Sequence, residues 1–355
     1  MEKSIHKKGK MWYNACMKIL VTGGAGYVGS NVILQLLERG HEVVVADNFS
    51  NTGDNLKKIE KALGREIKLY DIDLCNRDET LKMFEKEKFD GVIHLASKKY
   101  IPESKIIPSE YMRVNITSTI NVLDAMDMYG VNKLAFASTV QVYGKPKSLP
   151  VKETADKEPT SPYAESKLLC ERIIEDYAKL NDKFNVSIFR FANLVGSNEE
   201  FDVGDILNAK YKPVLSYLSL SVLDGKEITV NGGDIGTKDG TYERDFIDVR
   251  DLSRVVVDVF EKNNQLGVET FNVANNETSS VMELASALLK ISKSKQTLHM
   301  NFDNARKDEP VTLYYSNDKI KDLVGYERRY SLEDSVKAQY EYVKNRHTEN
   351  EITKK

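Results

Sequence analysis

Cysteine is scarce in this 355-residue chain, with only Cys16, Cys75 and Cys170. Three thiols with no C-x-x-C spacing exclude a disulfide framework and point to free thiols in a reducing, cytoplasmic setting. The five histidines, His6, His41, His94, His299 and His347, are scattered. No pair of them has helical metal-ligand spacing, so no metal is expected. No apolar run reaches the roughly 18 residues that a membrane-spanning helix requires. The first sixteen residues are polar and basic, with Trp12 and Tyr13 near their end, and lack the apolar centre of a signal peptide. Neither charge sign dominates: 51 Lys and Arg face 54 Asp and Glu, a net charge of -3. That balance removes the whole-chain electrostatic case for nucleic acid.

What the chain does have is rhythm. Short apolar runs at Lys18–Thr22, Glu42–Ala46, Ile67–Asp71, Gly91–Leu95, Lys133–Ser138 and Val186–Phe191 read as strands. Between them fall helical stretches at Val28–Arg39, Leu81–Glu87, Tyr111–Tyr129 and Pro162–Leu180, the first closed by Gly40 and the third by Gly130. Strand–helix alternation of this kind predicts an α/β fold, a doubly wound parallel sheet covered on both faces. After Asn193 the rhythm breaks. Residues 196–240 are rich in Gly, Asp, Asn and Lys, with one helical segment at Val214–Leu223. Regular elements return near Phe246–Glu261 and Val281–Ile291. These later residues read as a smaller second lobe.

The first strand runs into Gly23-Gly24-Ala25-Gly26-Tyr27-Val28-Gly29, in which Gly23, Gly26 and Gly29 are spaced G-x-x-G-x-x-G. Glycine there permits a tight turn and lets backbone approach a pyrophosphate, and the helix that follows points its N-terminal N–H groups at the phosphates. The second strand ends in Asp47, placed where a ribose 2′-hydroxyl needs an acceptor and a 2′-phosphate would be repelled. The pattern therefore predicts NAD rather than NADP. Asp73 and Leu74, after the third strand, are candidates for the adenine edge.

A second constellation lies downstream. Tyr163 and Lys167, four apart at the start of a helix, share a face. A tyrosine of ordinary pKa, roughly 10, is a poor base at neutral pH, and a neighbouring ammonium favours its phenolate. Ser138 and Thr139 end the fifth strand, at the edge of the sheet where ligands bind. Either hydroxyl is placed to bond a reacting substrate oxygen.

Taken together, Gly23-x-x-Gly26-x-x-Gly29, Ser138-Thr139, Tyr163-x-x-x-Lys167 and Arg190-x-x-Asn193 resemble the extended short-chain dehydrogenases. The run Asp239-Gly240-Thr241-Tyr242-Glu243-Arg244-Asp245-Phe246-Ile247-Asp248-Val249 is similar to the DGT-x-x-RDYIHV segment of the UDP-sugar 4-epimerases within that group. The resemblance covers roughly residues 17–340. It implies bound NAD, a UDP-sugar substrate, a 4-keto intermediate and a homodimer built on the two long helices. It also implies a cofactor set of Gly23, Gly26, Tyr27, Val28, Gly29, Asp47, Asn48, Asp73, Leu74, Leu95, Lys99, Asn115, Tyr163 and Lys167. Thr139, Tyr163 and Lys167 would carry the chemistry. Lys99, Ser138, Asn193, Arg244, Arg306 and Glu309 would hold the substrate, the two arginines on its phosphates.

Some positions depart from the family pattern. Ala192 and Phe191 replace an aromatic and a tyrosine, Asn231 stands where an aromatic often stacks on uracil, and the usual asparagine pair plus leucine is missing from Asp202–Leu220. A related 4,6-dehydratase would carry an acid pair after the strand-end threonine, where this chain has Val140-Gln141. Epimerases of N-acetylated or uronate sugars, NAD-dependent sugar-nucleotide dehydrogenases or reductases, and a non-catalytic NAD-binding regulator are the competing readings. The expected organisation is a disordered extension (1–16), an NAD-binding Rossmann domain (17–193, with 241–262 returning to it), a substrate lobe (194–240 and 263–345) and a frayed tail (346–355).

Overall fold

The computed structural model describes residues 16–51, 53–205, 207, 210–301 and 309–352. The first half forms β1 (Lys18–Thr22), α1 (Tyr27–Glu38), β2 (Glu42–Asp47), α2 (Asn55–Leu63), β3 (Lys68–Asp71), α3 (Arg77–Glu87), β4 (Gly91–His94), α4 (Ile101–Ile106), α5 (Pro108–Met128), β5 (Lys133–Thr139), α6 (Pro162–Leu180) and β6 (Asn185–Phe191). There follow β7 (Asn193–Val195), α7 (Val214–Leu223), β8 (Ile228–Asn231), β9 (Glu243–Arg244), β10 (Phe246–Asp248), α8 (Val249–Lys262) and β11 (Gly267–Val273). The chain ends with β12 (Ser279–Ser280), α9 (Val281–Ser292), β13 (Leu298–Asn301), β14 (Thr312–Leu313), α10 (Asp318–Val324) and α11 (Leu332–Ile352).

Seven strands make one sheet in the order β11-β6-β5-β4-β1-β2-β3, and every pairing in it is parallel. Period-two alternation feeds both faces. Ile19, Val21, Val43 and Val45 enter the core under α1 and α8, while Leu20, Val44 and Ala46 enter the core under α5 and α6. Each of these Ile, Leu and Val side chains, withdrawn from water, contributes about 1.5–3 kcal/mol. Strand order reverses between β1 and β4, and at such a switch point the loops leaving the two strands diverge and open a crevice. α6 starts where the sequence says it should: Ser161 accepts a hydrogen bond from the Ala164 amide at 3.2 Å, and Pro162 occupies the first turn.

Two expectations about organisation change. β11, expected in the substrate lobe, completes the main sheet beside β6, from Gly267↔Asn185 to Val273↔Phe191. It pairs with β6 along its whole length and covers a strand that would otherwise be an edge. Residues 346–352, expected as frayed tail, continue α11. Arg346 there donates to the Asp202 carbonyl at 3.2 Å and ties the helix back to the body. The expected extension before residue 16 lies outside the described residues. The second lobe is held by its own core, with Leu215, Leu218, Leu284, Leu288, Val336 and Tyr340 packed between α7, α9 and α11.

Candidate active site

The crevice at the β1/β4 switch is a cavity of about 590 Å³. Gly23, Gly26, Tyr27, Val28, Gly29, Asp47, Asn48, Asp73, Leu74, Leu95 and Lys99 all line it. Glycine is required at its floor. Gly23 has φ +67°, and a Cβ there would meet the Ala96 amide nitrogen at 2.8 Å. A Cβ on Gly29 would lie 2.2 Å from the Gly23 carbonyl oxygen and 2.6 Å from the Gly24 Cα. The loop and the first turn of α1 are thus packed backbone on backbone, which leaves the N–H groups of that turn facing the crevice. Asp47 accepts from the Ala25 amide at 3.0 Å and the Phe49 amide at 2.9 Å. Burial raises its pKa, and those backbone donors oppose the rise.

Lys99 lies 3.5 Å from Asp205, a carboxylate only 1 % exposed. Burial lowers the pKa of Lys99, but Asp205 and Tyr100 together more than offset it, so the group stays charged. Asn115 does not line the cavity. Its carboxamide accepts from the Lys98 amide at 2.8 Å and donates to the Lys98 carbonyl at 3.1 Å and to Ser166 Oγ at 2.9 Å. It therefore clamps the loop that carries Lys99 onto α6.

Tyr163, Lys167 and Thr139 stand beside this cavity rather than in its wall. The Tyr163 ring meets Tyr111 edge-on at 6.4 Å. Tyr111 in turn donates to Glu103 at 2.8 Å and accepts from the Tyr100 amide at 2.9 Å, and Tyr100 and Glu103 line the cavity. Burial pushes Tyr163 up to about 12, and a hydrogen bond with Thr139 works against the rise. Burial pushes Lys167 down to about 8, opposed by the charges of Cys170 and Glu171. Its ammonium donates to the Ala137 carbonyl at 2.7 Å. Burial thus pushes the tyrosine up and the lysine down, one helical turn apart on α6.

Ser138 is a correction. Expected to meet substrate, it is 2 % exposed, and its hydroxyl donates to Glu171 at 2.5 Å in the interior. Thr139, one place later, hydrogen-bonds Tyr163 instead. Arg244 and Glu309 are brought together at 3.4 Å beside β9, and Arg244 also donates to the Val311 carbonyl at 2.9 Å. Asn193 opens β7, with its amide bonded to the Asp245 carbonyl at 3.1 Å. Arg306 lies outside the described residues. Of the departures, Phe191 stacks on Phe189 at 6.3 Å and Asn231 pairs with Asn301 in the β8–β13 ribbon. Sequence reasoning missed Lys98, Tyr100, Arg113, Lys210 and Tyr211 in the cavity wall. The Lys98-Lys99-Tyr100 run after β4 was the available signal for the first two.

The family model for the NAD-dependent epimerase/dehydratase family matches residues 19–274. The chain belongs to that family. It is 34% identical over 322 residues to a UDP-glucose 4-epimerase of Bacillus subtilis, covering 90% of this chain and 94% of the relative. It is 33% identical over 313 residues to a UDP-glucose 4-epimerase of Mus musculus, covering 85% of this chain and 89% of the relative. Among solved structures, a UDP-glucose 4-epimerase from Stenotrophomonas maltophila with bound NAD and formylated UDP-arabinopyranose superposes with a TM-score of 0.88 at 27% identity, over 94% of this chain and 99% of that one. The Bifidobacterium longum UDP-glucose 4-epimerase in complex with NAD+ and UDP gives a TM-score of 0.85 at 29% identity, over 92% and 98%.

His94 yields a prediction about stability. It is buried between Thr22 Oγ1 at 2.7 Å and Thr119 Oγ1 at 3.3 Å. Burial, with a contribution from the Lys167 charge, pushes it down to about 3. An unfolded imidazole takes up a proton near pH 6.5, roughly, whereas the folded one refuses it until far lower. Stability present above that pH is therefore lost as pH falls through the window. By about pH 4.5 the loss is about 3 kcal/mol, two units at roughly 1.4 kcal/mol each. His94→Gln should flatten this acid slope in urea-midpoint measurements. An unchanged slope in the variant would rule His94 out as its source.

Proposed function

We propose that this chain is an NAD-dependent 4-epimerase of a nucleotide sugar, interconverting UDP-glucose and UDP-galactose through a 4-keto sugar. One observation carries the reading: a glycine-floored cavity at the sheet's switch point stands directly beside the Thr139–Tyr163–Lys167 cluster. Family membership and the 4-epimerase identity of the relatives support it.

The residues fit NAD. Gly23, Gly26 and Gly29 leave room for a pyrophosphate against the first turn of α1, and Asp47 presents a carboxylate to a ribose. Bound NAD supplies a reversible two-electron acceptor, so the sugar carbon can be oxidised and reduced again with no net redox change. Tyr163 takes the proton of the sugar 4-hydroxyl and returns it. Thr139 bonds the same oxygen and steadies the phenol. Lys167 stabilises the phenolate through its charge and positions the nicotinamide ribose. Lys99 contacts the cofactor, and Asn115 holds the loop that presents it. Asn193, Arg244 and Arg306 hold the diphosphate, with Glu309 at the ribose. The proposed assembly is a homodimer through α5 and α6, where Met128 and Leu180 are 56% and 90% exposed. The proposed setting is the cytoplasm, matching three free cysteines. Among the described residues, no helix is long and apolar enough to cross a membrane.

The test incubates the purified protein with UDP-glucose, UDP-galactose or their N-acetyl forms, with no added NAD, and separates the products. Interconversion of a pair without accumulation of NADH is expected. Net NADH would convert the reading to a dehydrogenase, and turnover of the N-acetyl pair alone would replace glucose as the sugar.

A further inference from the structure

Three residues of α6 meet three successive residues of β5. Tyr163 hydrogen-bonds Thr139, Lys167 donates to the Ala137 carbonyl at 2.7 Å, and Glu171 accepts from Ser138 at 2.5 Å. The α6 residues are spaced by four, so they lie in one row along the helix. The first two are the proposed catalytic couple. The third, only 1 % exposed, has no part in the proposed chemistry.

Glu171 is held from the far side. Arg190 on β6 donates to one of its oxygens at 3.0 Å and to the other at 2.6 Å, a bidentate fork. Arg190 is itself 1 % exposed. It also donates to Tyr143 Oη at 2.9 Å and to the Glu153 carbonyl at 3.1 Å, and Tyr143 donates to Asn272 on β11 at 2.6 Å. The network fastens three adjacent strands to the helix at one point, one helical turn past Lys167.

We propose that Glu171, anchored by Arg190, is a positioning residue for the Tyr163–Lys167 couple: it locks α6 onto the end of β5 and supplies the negative charge that keeps Lys167 an ammonium. The inference rests on the catalytic reading of Tyr163 and Lys167 given above. Lys167 is buried against neutral or unfavourable neighbours. His94 on β4 feels its charge as a penalty and Tyr163 is a neutral phenol, while Cys170, which opposes the fall ahead of Glu171, is a thiol whose own pKa burial raises, so it is uncharged at neutral pH. Arg190 faces Glu171 rather than the lysine. Glu171 is therefore the standing carboxylate among the groups that hold Lys167 charged. Because Lys167 titrates near 8, losing that carboxylate moves its titration down into the working range.

The experiment compares pH profiles of kcat for wild type, Glu171→Gln, Glu171→Asp and Tyr163→Phe, with NAD content per chain measured on each. Glu171→Gln is expected to move the basic limb down by about one pH unit, a tenfold loss of kcat above it, at unchanged NAD content. Glu171→Asp should restore most of the limb. A residue that merely stabilised the fold would lower the melting temperature without moving a pH limb. If Glu171→Gln fails to fold, the double variant Glu171→Gln with Arg190→Met removes the unpaired guanidinium and should carry the same shift. A basic limb that coincides with wild type in the folded variant, while Tyr163→Phe is inactive, overturns the inference and leaves the catalytic reading standing. Near-normal activity in Tyr163→Phe overturns the catalytic reading itself.

Discussion

Tyr163→Phe is expected to lower turnover by about 10²–10⁴-fold, the range that a positioned general acid–base group contributes, while NAD stays bound. The substitution deletes one oxygen and keeps the ring. That ring packs edge-on against Tyr111, so the contact survives. The lost hydrogen bond to Thr139 is a local one, and Thr139 still accepts from the Gln141 amide at 3.2 Å. The phenol is neutral at working pH in folded and unfolded chain alike, so the cost is that of one hydrogen bond, about 1 kcal/mol. The sharp outcome is a folded, NAD-loaded, nearly inactive protein. A Tyr163→Phe protein within a few-fold of wild-type kcat would move the proton chemistry to another residue, and the reading built on Tyr163 and Lys167 would fall.

That expectation was legible from spacing, because Tyr-x-x-x-Lys at the start of a capped helix fixes a shared face wherever the helix goes. The Gly23–Gly29 loop and Asp47 were legible for the same reason: strand, turn and helix follow one another within thirty residues and carry their own geometry. Long-range placement was not. β11 is separated from β6 by α7, the small strands and α8, and nothing in its composition says that it returns to the main sheet. α2 and α4 were missed because both are short, the first lysine-rich and the second only six residues with Pro102 in its first turn. Ser138 and Thr139 are chemically alike and adjacent, so only the direction of each side chain sends one hydroxyl to Glu171 and the other to Tyr163. Glu171 was passed over because a glutamate on an amphipathic helix reads as a surface charge. Only the arrival of Arg190 from β6 marks it as buried and paired. Lys210 and Tyr211 sit in a stretch with no periodicity, so sequence alone had no means of aiming them at the cavity.

The second large effect concerns the cavity floor, where the three glycines of the motif are not equivalent. A Cβ on Gly29 would stand 2.2 Å from the Gly23 carbonyl oxygen and 2.6 Å from the Gly24 Cα. Both obstacles are backbone, so no rotamer change relieves them, and α1 must move away from the loop. On Gly26 the same addition meets only the Gly23 oxygen, at 3.2 Å, which a small shift accommodates. Gly53 has nothing within 4 Å. Gly29→Ala is therefore expected to weaken NAD binding at least a hundredfold, about 2.7 kcal/mol, because the N–H groups that face the phosphates travel with the helix. Gly26→Ala should lose about tenfold, near 1.4 kcal/mol, and Gly53→Ala should match wild type within about 0.5 kcal/mol. Calorimetric titration of NAD into the three variants tests the order. The tightly packed floor predicts loss at Gly29 first, whereas a site gripped mainly by Asp47 and Lys99 would leave all three variants alike. Equal affinities across the series would transfer the cofactor grip from the α1 turn to those two side chains.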